Sequence, residues 1–343
     1  MPPVPSAPLA PSQTPFPAVP ACIAELADGQ RAEYALSAYI GGDGAPLTVP
    51  VQVIAGHGPS PVTLLIAGVH GDEPEGPLAL HHLWRTLDPA RVRGRLVLVP
   101  VAHPPAFLAN QRLSPLDGKD MNRSFPGDPA GSPTQRIAHA LWHQVVSQAQ
   151  FVFSMHSWSR HGETLPYVEV PGAGAPTAAT CWSMADGAGF ARVRLVDWPA
   201  GLLVKCANGA GIPAIEAEIG GGGVSQAGFQ TLYRARLAGL LHHLEMIAAA
   251  PPPREGPAAA FTARHIPAPA GGLLDCAVEL GDPVSAGQTL ATLRQPNGAP
   301  ITTITAPLAG TVAVRWRWAT VQPGDIAFTL FQPATAPVSQ PTE

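Results

Sequence analysis

Val62-Thr-Leu-Leu-Ile-Ala-Gly-Val-His70-Gly-Asp-Glu73-Pro-Glu-Gly76 is an apolar run that stops abruptly in a His and a Glu three residues apart. Val62 to Ala67 has the near-continuous hydrophobicity of a central strand covered on both faces. Gly68 breaks it, and Pro74 suits the first turn of a helix whose apolar positions, Leu78, Leu80, Leu83 and Trp84, recur at roughly helical spacing. His70 and Glu73 therefore sit on a strand-to-helix turn, at the carboxyl edge where open α/β sheets bind ligands. Zinc accepts both side chains, but two ligands make an incomplete site. A solvated loop is the alternative.

Working outward, Tyr34 to Ala55 alternates apolar and polar residues around Gly41-Gly-Asp-Gly, as a hairpin does. Arg95–Ala102, Phe151–Met155, Tyr167–Val170, Val193–Val196 and Ala214–Ile219 are predicted strands. Pro133–Gln148, Thr177–Ala188 and Gln226–Ala248 are predicted helices, the first with Ser132 or Thr134 as cap. This alternation implies an α/β fold, a wound, largely parallel or mixed sheet with helices on both faces, over residues 21–250. The Pro-rich stretch at 251–257 reads as a linker. Beyond it, short strand-like runs suggest a small all-β domain over 258–332, with disordered ends at 1–20 and 333–343. Ala268-Pro-Ala-Gly-Gly with Gly281-Asp-Pro-Val is echoed by Ala306-Pro-Leu-Ala-Gly with Pro323-Gly-Asp-Ile. The echo resembles the biotinyl/lipoyl-like hammerhead fold. Carrier domains of that kind modify a lysine, and this segment has none, which leaves a structural or pocket-covering role.

The 343 residues suffice for two domains, and 46% hydrophobic composition supports a large core. A net charge of -4 without basic runs argues against nucleic acid or an anionic membrane as partner. No apolar run approaches the ~18 residues of a membrane helix. The four cysteines are scattered with no C-x-x-C, so no disulfide framework or cysteine zinc site is indicated. A cytoplasmic protein acting on a small molecule, compatible with a homo-oligomer, is expected.

The strand Phe151–Met155 runs into His156-Ser-Trp-Ser, which adds an imidazole at the same sheet edge. His70, Glu73 and His156 make up the His₂Glu set of a catalytic zinc with an open position, one ion per chain, able to polarise a carbonyl and lower the pKa of water. In Arg112-Leu-Ser-Pro-Leu-Asp-Gly-Lys-Asp120-Met-Asn122-Arg123-Ser-Phe-Pro-Gly127, charges stand beside turn formers. That stretch is either a solvated loop or a functional one. In the functional reading Asp120 orients a ligand histidine from behind, Asn122 and Arg123 form a fork for a substrate carboxylate, and Arg112 stabilises an oxyanion. Ala214-Ile-Glu216-Ala-Glu218-Ile-Gly-Gly-Gly-Gly223 puts two carboxylates on one face of a buried strand, costly unless paired or functional. One of them can serve as general base. Lys119 and Lys205 are the only lysines. Lys205 is either a surface lysine or a residue at the pocket rim, where an ammonium favours an anionic substrate group.

His70-Gly-Asp-Glu73, Asp120-Met-Asn-Arg-Ser-Phe-Pro-Gly127, His156-Ser and Glu218-Ile-Gly-Gly together resemble, in order and spacing, the succinylglutamate desuccinylase/aspartoacylase family of the zinc carboxypeptidase-like superfamily. The likeness spans roughly residues 45–250. The stretch from Arg112 to Arg123 looks most like the N-acetyl-diaminobutyrate deacetylases of ectoine breakdown. The resemblance implies zinc on His70, Glu73 and His156, Glu218 as base, Arg112 on the oxyanion, and Asn122 with Arg123 binding an N-acyl substrate. It therefore implies a zinc-dependent deacylase, with a metallocarboxypeptidase, an esterase or a non-catalytic zinc-site protein as alternatives. Ser154 departs from the Asp that relatives commonly carry there, and Glu216 is a carboxylate that can replace it.

Overall fold

The computed structural model describes residues 16–248, 256 and 258–334. The expected N-terminal arm up to residue 15, nearly all of the linker and the tail beyond 334 lie outside the described residues. The chain runs through β1 (Gln30–Ile40), β2 (Pro46–Ala55), β3 (His57–Ala67), α1 (Glu75–Thr86), β4 (Arg93–Val99), α2 (Pro104–Leu108), α3 (Pro133–Gln144) and β5 (Phe151–His156). It continues through β6 (Gly162–Pro171), α4 (Ala178–Gly187), β7 (Arg192–Val196), α5 (Leu203–Gly209), β8 (Ala214–Gly221) and α6 (Ala227–His243). Strands then follow one another: β9 (Ala259–Pro267), β10 (Gly272–Cys276), β11 (Pro283–Val284), β12 (Thr289–Arg294), β13 (Pro300–Thr305), β14 (Gly310–Trp316), β15 (Thr320–Val321) and β16 (Ile326–Pro333).

The middle of the sheet is parallel, with β3 between β4 and β5, and β8 beside β5. Strands buried on both faces favour apolar residues at nearly every position, which explains the run in β3 from Val62 to Ala67, interrupted by the buried Thr63. Alternate residues enter different cores. Leu64 and Ile66 pack with Ile137 and Leu141 of α3 and Val204 of α5 on one face. Leu65 and Ala67 pack with Leu80 of α1, Met184 of α4 and Leu237 of α6 on the other. Each such leucine, fully buried, is worth roughly 1.5–3 kcal/mol over an exposed one. None of the described helices is long and apolar enough to cross a membrane.

The start of α3 is fixed by a side chain from the preceding loop. Asp117 accepts hydrogen bonds from Thr134 N at 2.9 Å, Thr134 Oγ1 at 2.7 Å and Ser132 Oγ at 2.7 Å. Ser132 and Gln135 also form a capping box. The helix ends at Gln144, and Val145 leaves helical geometry before a separate 3₁₀ turn over Val146–Gln148.

The C-terminal strands do not stand apart from the sheet. β9 pairs in parallel with β7, and β14 pairs antiparallel with β6, so the 12-stranded sheet runs on into β9, β16, β14 and β11. The other strands form a sheet in the order β13-β12-β10-β15. The sequence echo corresponds to an exchange of strands: β11 pairs with β14 of the second half and β15 with β10 of the first.

Candidate metal centre and its cavity

The register of three strands builds the site. On β5 and β8, His156 lies opposite Glu218 and Ser154 opposite Glu216. On β6, Tyr167 faces Glu218 and Glu169 faces Glu216. Two rows, His156-Glu218-Tyr167 and Ser154-Glu216-Glu169, thus cross the sheet on one face by period-two alternation. Phe153, Met155, Ala217 and Val168 between them point into the opposite core.

The β3–α1 turn brings His70 and Glu73 to the end of the first row. Gly71 is required there, because a Cβ would stand 2.0 Å from the Ala106 carbonyl. His70 Nδ1 lies 2.7 Å from Glu73 Oε1, and His156 Nδ1 lies 3.0 Å from Glu73 Oε2. The two Nδ1 atoms are only 3.2 Å apart. Two ring nitrogens and a carboxylate facing one point, all buried, make a place that favours a cation. Their ligand atoms lie within 4.8 Å of one another, and the donor set suits zinc with a position left for substrate or water. Burial opposes the charge on Glu73, yet the facing imidazoles of His70 and His156 hold its pKa well below the usual carboxylate range. Burial likewise disfavours charge on His156, but Glu216 and Glu73 outweigh it and push the imidazole up to about 10.

Each histidine is steered through its outer nitrogen, the arrangement that fixes tautomer and ring orientation in metal sites. Asp120 Oδ1 lies 3.1 Å from His70 Nε2, while Asp120 Oδ2 accepts from Arg112 Nη2 at 2.9 Å. Arg112 Nη1 reaches 3.3 Å from His70 Nδ1 and 3.7 Å from Glu73 Oε1, so its guanidinium borders the cluster. Behind His156, Nε2 is 3.0 Å from Ser154 Oγ and 3.4 Å from Glu216 Oε2. The carboxylate behind this ring is thus supplied from the neighbouring strand. Asn122 Nδ2 donates to Glu216 Oε2 at 3.1 Å, and Asn122 Oδ1 accepts from Leu203 N at 3.1 Å. Both ends of that amide are therefore engaged within the protein, and Asn122 ties Glu216 to the start of α5. Arg123 lines the cavity, with Nη1 held by the Asn122 carbonyl at 2.7 Å.

Glu218 presents a buried carboxylate oxygen, Oε2, that has no hydrogen-bond partner. Burial, then Glu73, raise its pKa well above the ordinary value. It opens on a cavity of about 640 Å³, which His70, Arg112, Asn122, Arg123, Glu216 and Glu218 also line. Lys205 does not itself line this cavity, but it lies on α5 and pairs with Asp197, a residue of the cavity wall shared with an adjoining pocket, so its charge reaches the rim already partnered.

Further cavity residues carried no motif. Glu169 is buried and accepts from Arg194 Nη1 at 2.9 Å and Trp198 Nε1 at 2.8 Å. A charge inside the predicted strand Tyr167–Val170 was the signal available for it, the same signal that marked Glu216 and Glu218. His265, Trp316 and Ile326 reach the cavity from the C-terminal strands, for which the sequence offered only a pocket-covering role.

Known proteins resemble this chain over most of its length. Residues 59–244 match the succinylglutamate desuccinylase/aspartoacylase catalytic domain. The N-alpha-acetyl-L-2,4-diaminobutyric acid deacetylase of Halomonas elongata is 32% identical over 250 residues, 71% of this chain and 73% of that protein. The product-bound ectoine utilization protein EutE of Ruegeria pomeroyi superposes with a TM-score of 0.83 at 27% identity, covering 92% of this chain and 98% of that one. A succinylglutamate desuccinylase from Silicibacter gives 0.82 at 26% identity, covering 90% and 96%. With the catalytic-domain match spanning more than half the chain and the fold shared almost end to end, this protein belongs to the succinylglutamate desuccinylase/aspartoacylase family.

Proposed function

We propose that the chain is a zinc-dependent amidohydrolase that cleaves the amide bond of a small N-acyl amino acid or N-acyl amine. The observation that carries this reading is the convergence of His70 Nδ1, Glu73 and His156 Nδ1 beside the unpaired carboxylate oxygen of Glu218. His70, Glu73 and His156 would hold the ion, which supplies Lewis acidity toward the amide carbonyl and acidifies water. Glu218 takes a proton from the attacking water and delivers it to the amide nitrogen as the C–N bond breaks. Burial, which raises its pKa, makes the carboxylate a stronger proton acceptor when ionised. Arg112 stands beside the cluster with a fixed charge for the oxygen on which negative charge develops. Arg123, with donors left over, reads a substrate carboxylate, while Asn122 acts by holding Glu216. Asp120 and Glu216 orient His70 and His156. The Halomonas relative, named as a deacetylase of an N-acetylated diamino acid, supports the reaction class.

The test is amine release from a panel of N-acyl amino acids, with metal content measured on the same sample before and after chelation and after zinc is added back. Bound zinc with chelator-sensitive amine release is the expected result. A chain that binds zinc and releases no amine from any member would refute the assignment.

A further inference from the structure

We infer that the substrate carries a flat, apolar group, an aryl or indole-type ring, which lies in an aromatic slot at the mouth of the cavity. The inference rests on the deacylase reading above and specifies what that site accepts. Of the seven tryptophans in the chain, Trp158, Trp198 and Trp316 line this one cavity. Trp158 and His161 come from the β5–β6 loop, His265 from β9 and Trp316 from the end of β14. The rings are ordered against one another. His161 stacks on Trp316 at 5.2 Å with 9° between planes, and Trp158 faces His265 at 6.3 Å. Trp318 packs edge-on against His161 from outside at 4.1 Å.

A purely adhesive role would bury these rings. Trp158, His161 and Trp316 are instead partly exposed and His265 is exposed, all opening on the cavity. The two regions are already joined without them, by the β6–β14 ladder, by Arg317 N donating to the His161 carbonyl at 2.7 Å, and by the Arg317–Glu163 pair at 2.9 Å. Apolar surface left open at the mouth of a site built for a reaction is surface that a ligand covers.

Charge argues for an uncharged partner. Glu169 is paired with Arg194 and Trp198, and Asp197 with Lys205, so among the described cavity residues the remaining carboxylates are Glu216 and Glu218, beside the metal ligands. Burial, then the neighbouring Arg160, lower the pKa of His161, which favours its neutral ring. Neutral imidazoles and indoles present flat faces that stack on other flat faces. A cavity of about 640 Å³ is also far larger than an acetylated small amino acid fills.

The experiment compares kcat/KM of the zinc-loaded full chain on N-acetylalanine, N-acetyl-2,4-diaminobutyrate, N-acetyltryptophan and N-benzoylalanine. At least one ring-bearing substrate should exceed N-acetylalanine by about tenfold or more, given the ~0.5–1.5 kcal/mol of ring pairing on top of burial. The two ring-bearing arms show whether the ring belongs to the amine or the acyl side. Trp316→Ala should collapse that ratio toward one, and His265→Ala, at an exposed ring, serves if the first variant misfolds. Preference for N-acetylalanine or the diaminobutyrate derivative, or a loss in Trp316→Ala equal for all substrates, overturns the inference while leaving the deacylase reading intact. If no amide is cleaved, that reading fails, and calorimetric titration with N-benzoylalanine judges the slot by itself: binding weakened by Trp316→Ala supports it, and absence of binding overturns it.

Discussion

Replacing Glu218 by Gln separates proton transfer from every other property of the site. Glu218 Oε2 has no hydrogen-bond partner, so the exchange breaks no bond at that oxygen. Burial already opposes ionisation of this carboxyl. Removing the charge should therefore leave stability within about 1 kcal/mol of the parent or slightly above it. The metal ligands are untouched, and zinc content should stay at the parent level. Turnover should fall by roughly the 10²–10⁴-fold that a positioned acid-base group contributes. The residual rate should rise with pH, because hydroxide needs no base. The control is Glu216→Gln, one pleat away on the same face. Glu216 Oε2 accepts from Asn122 and backs His156, so its exchange should weaken metal binding more than it slows the loaded enzyme. The assay is amine release with metal content measured on each variant. If Glu216→Gln abolished turnover with zinc retained while Glu218→Gln stayed near the parent rate, the assignment of the base would be wrong by one pleat.

Other consequences follow from the same coordinates. His156→Ala should lower zinc occupancy from about one per chain, since an open catalytic site relies on three protein ligands; full occupancy by metal analysis would remove His156 from the ligand set. If Glu216 stands in for a carboxylate at position 154, adding Ser154→Asp to Glu216→Gln should recover zinc affinity in a competition titration, and no recovery would show that the two positions are not equivalent. His103 is buried, and burial lowers its pKa to about 4 from 6.5. Over that window the unfolded chain binds the extra proton, so stability is fully present above pH 6.5 and falls by about 3 kcal/mol as pH drops to 4; His103→Leu should flatten that part of the denaturant-midpoint curve. Truncation before β9 takes away one of the two partners of β7 and, with β14, one partner of β6. The exposed edges should make the shortened chain aggregate, which light scattering would show.

Much of the catalytic half was legible because its signals are local. The runs that became β3, β5 and β8 are short, apolar and end in charged or polar groups, and the pairing of strands by register then places His156 opposite Glu218. What the sequence withheld is what pairing across long separations decides. Nothing in the composition of β9 or β14 says that they join β7 and β6 rather than only each other, and so the aromatic mouth was not visible. Lys205 looked like a pocket residue because it is rare and near Glu218 in sequence. α5 sets it against Asp197 of the cavity wall, so it meets the rim as half of an ion pair and not as a free ammonium. Asn122 looked like a substrate donor because of its motif, and the packing of α5 uses both ends of its amide internally.

The site therefore depends on strand register more than on any single loop. A slip of one residue between β5 and β8 would turn Glu216 and Glu218 to the opposite face, toward Phe153, Met155 and Leu237, and would remove both the proposed base and the group behind His156. The register is pinned from that opposite face. Tyr233 of α6, fully buried, donates its hydroxyl to the carbonyls of His156 on β5 and Ala217 on β8, bracing the two strands at the level of the chemistry. Just beyond, Gly221 adopts a φ of 137°, and a Cβ there would stand 2.3 Å from the Gly162 carbonyl of β6. The run of glycines after Glu218 thus lets β6 close against β8 and complete the second half of each row. The neighbouring hydroxyl and glycines, which carry no chemistry themselves, set where the two glutamates point.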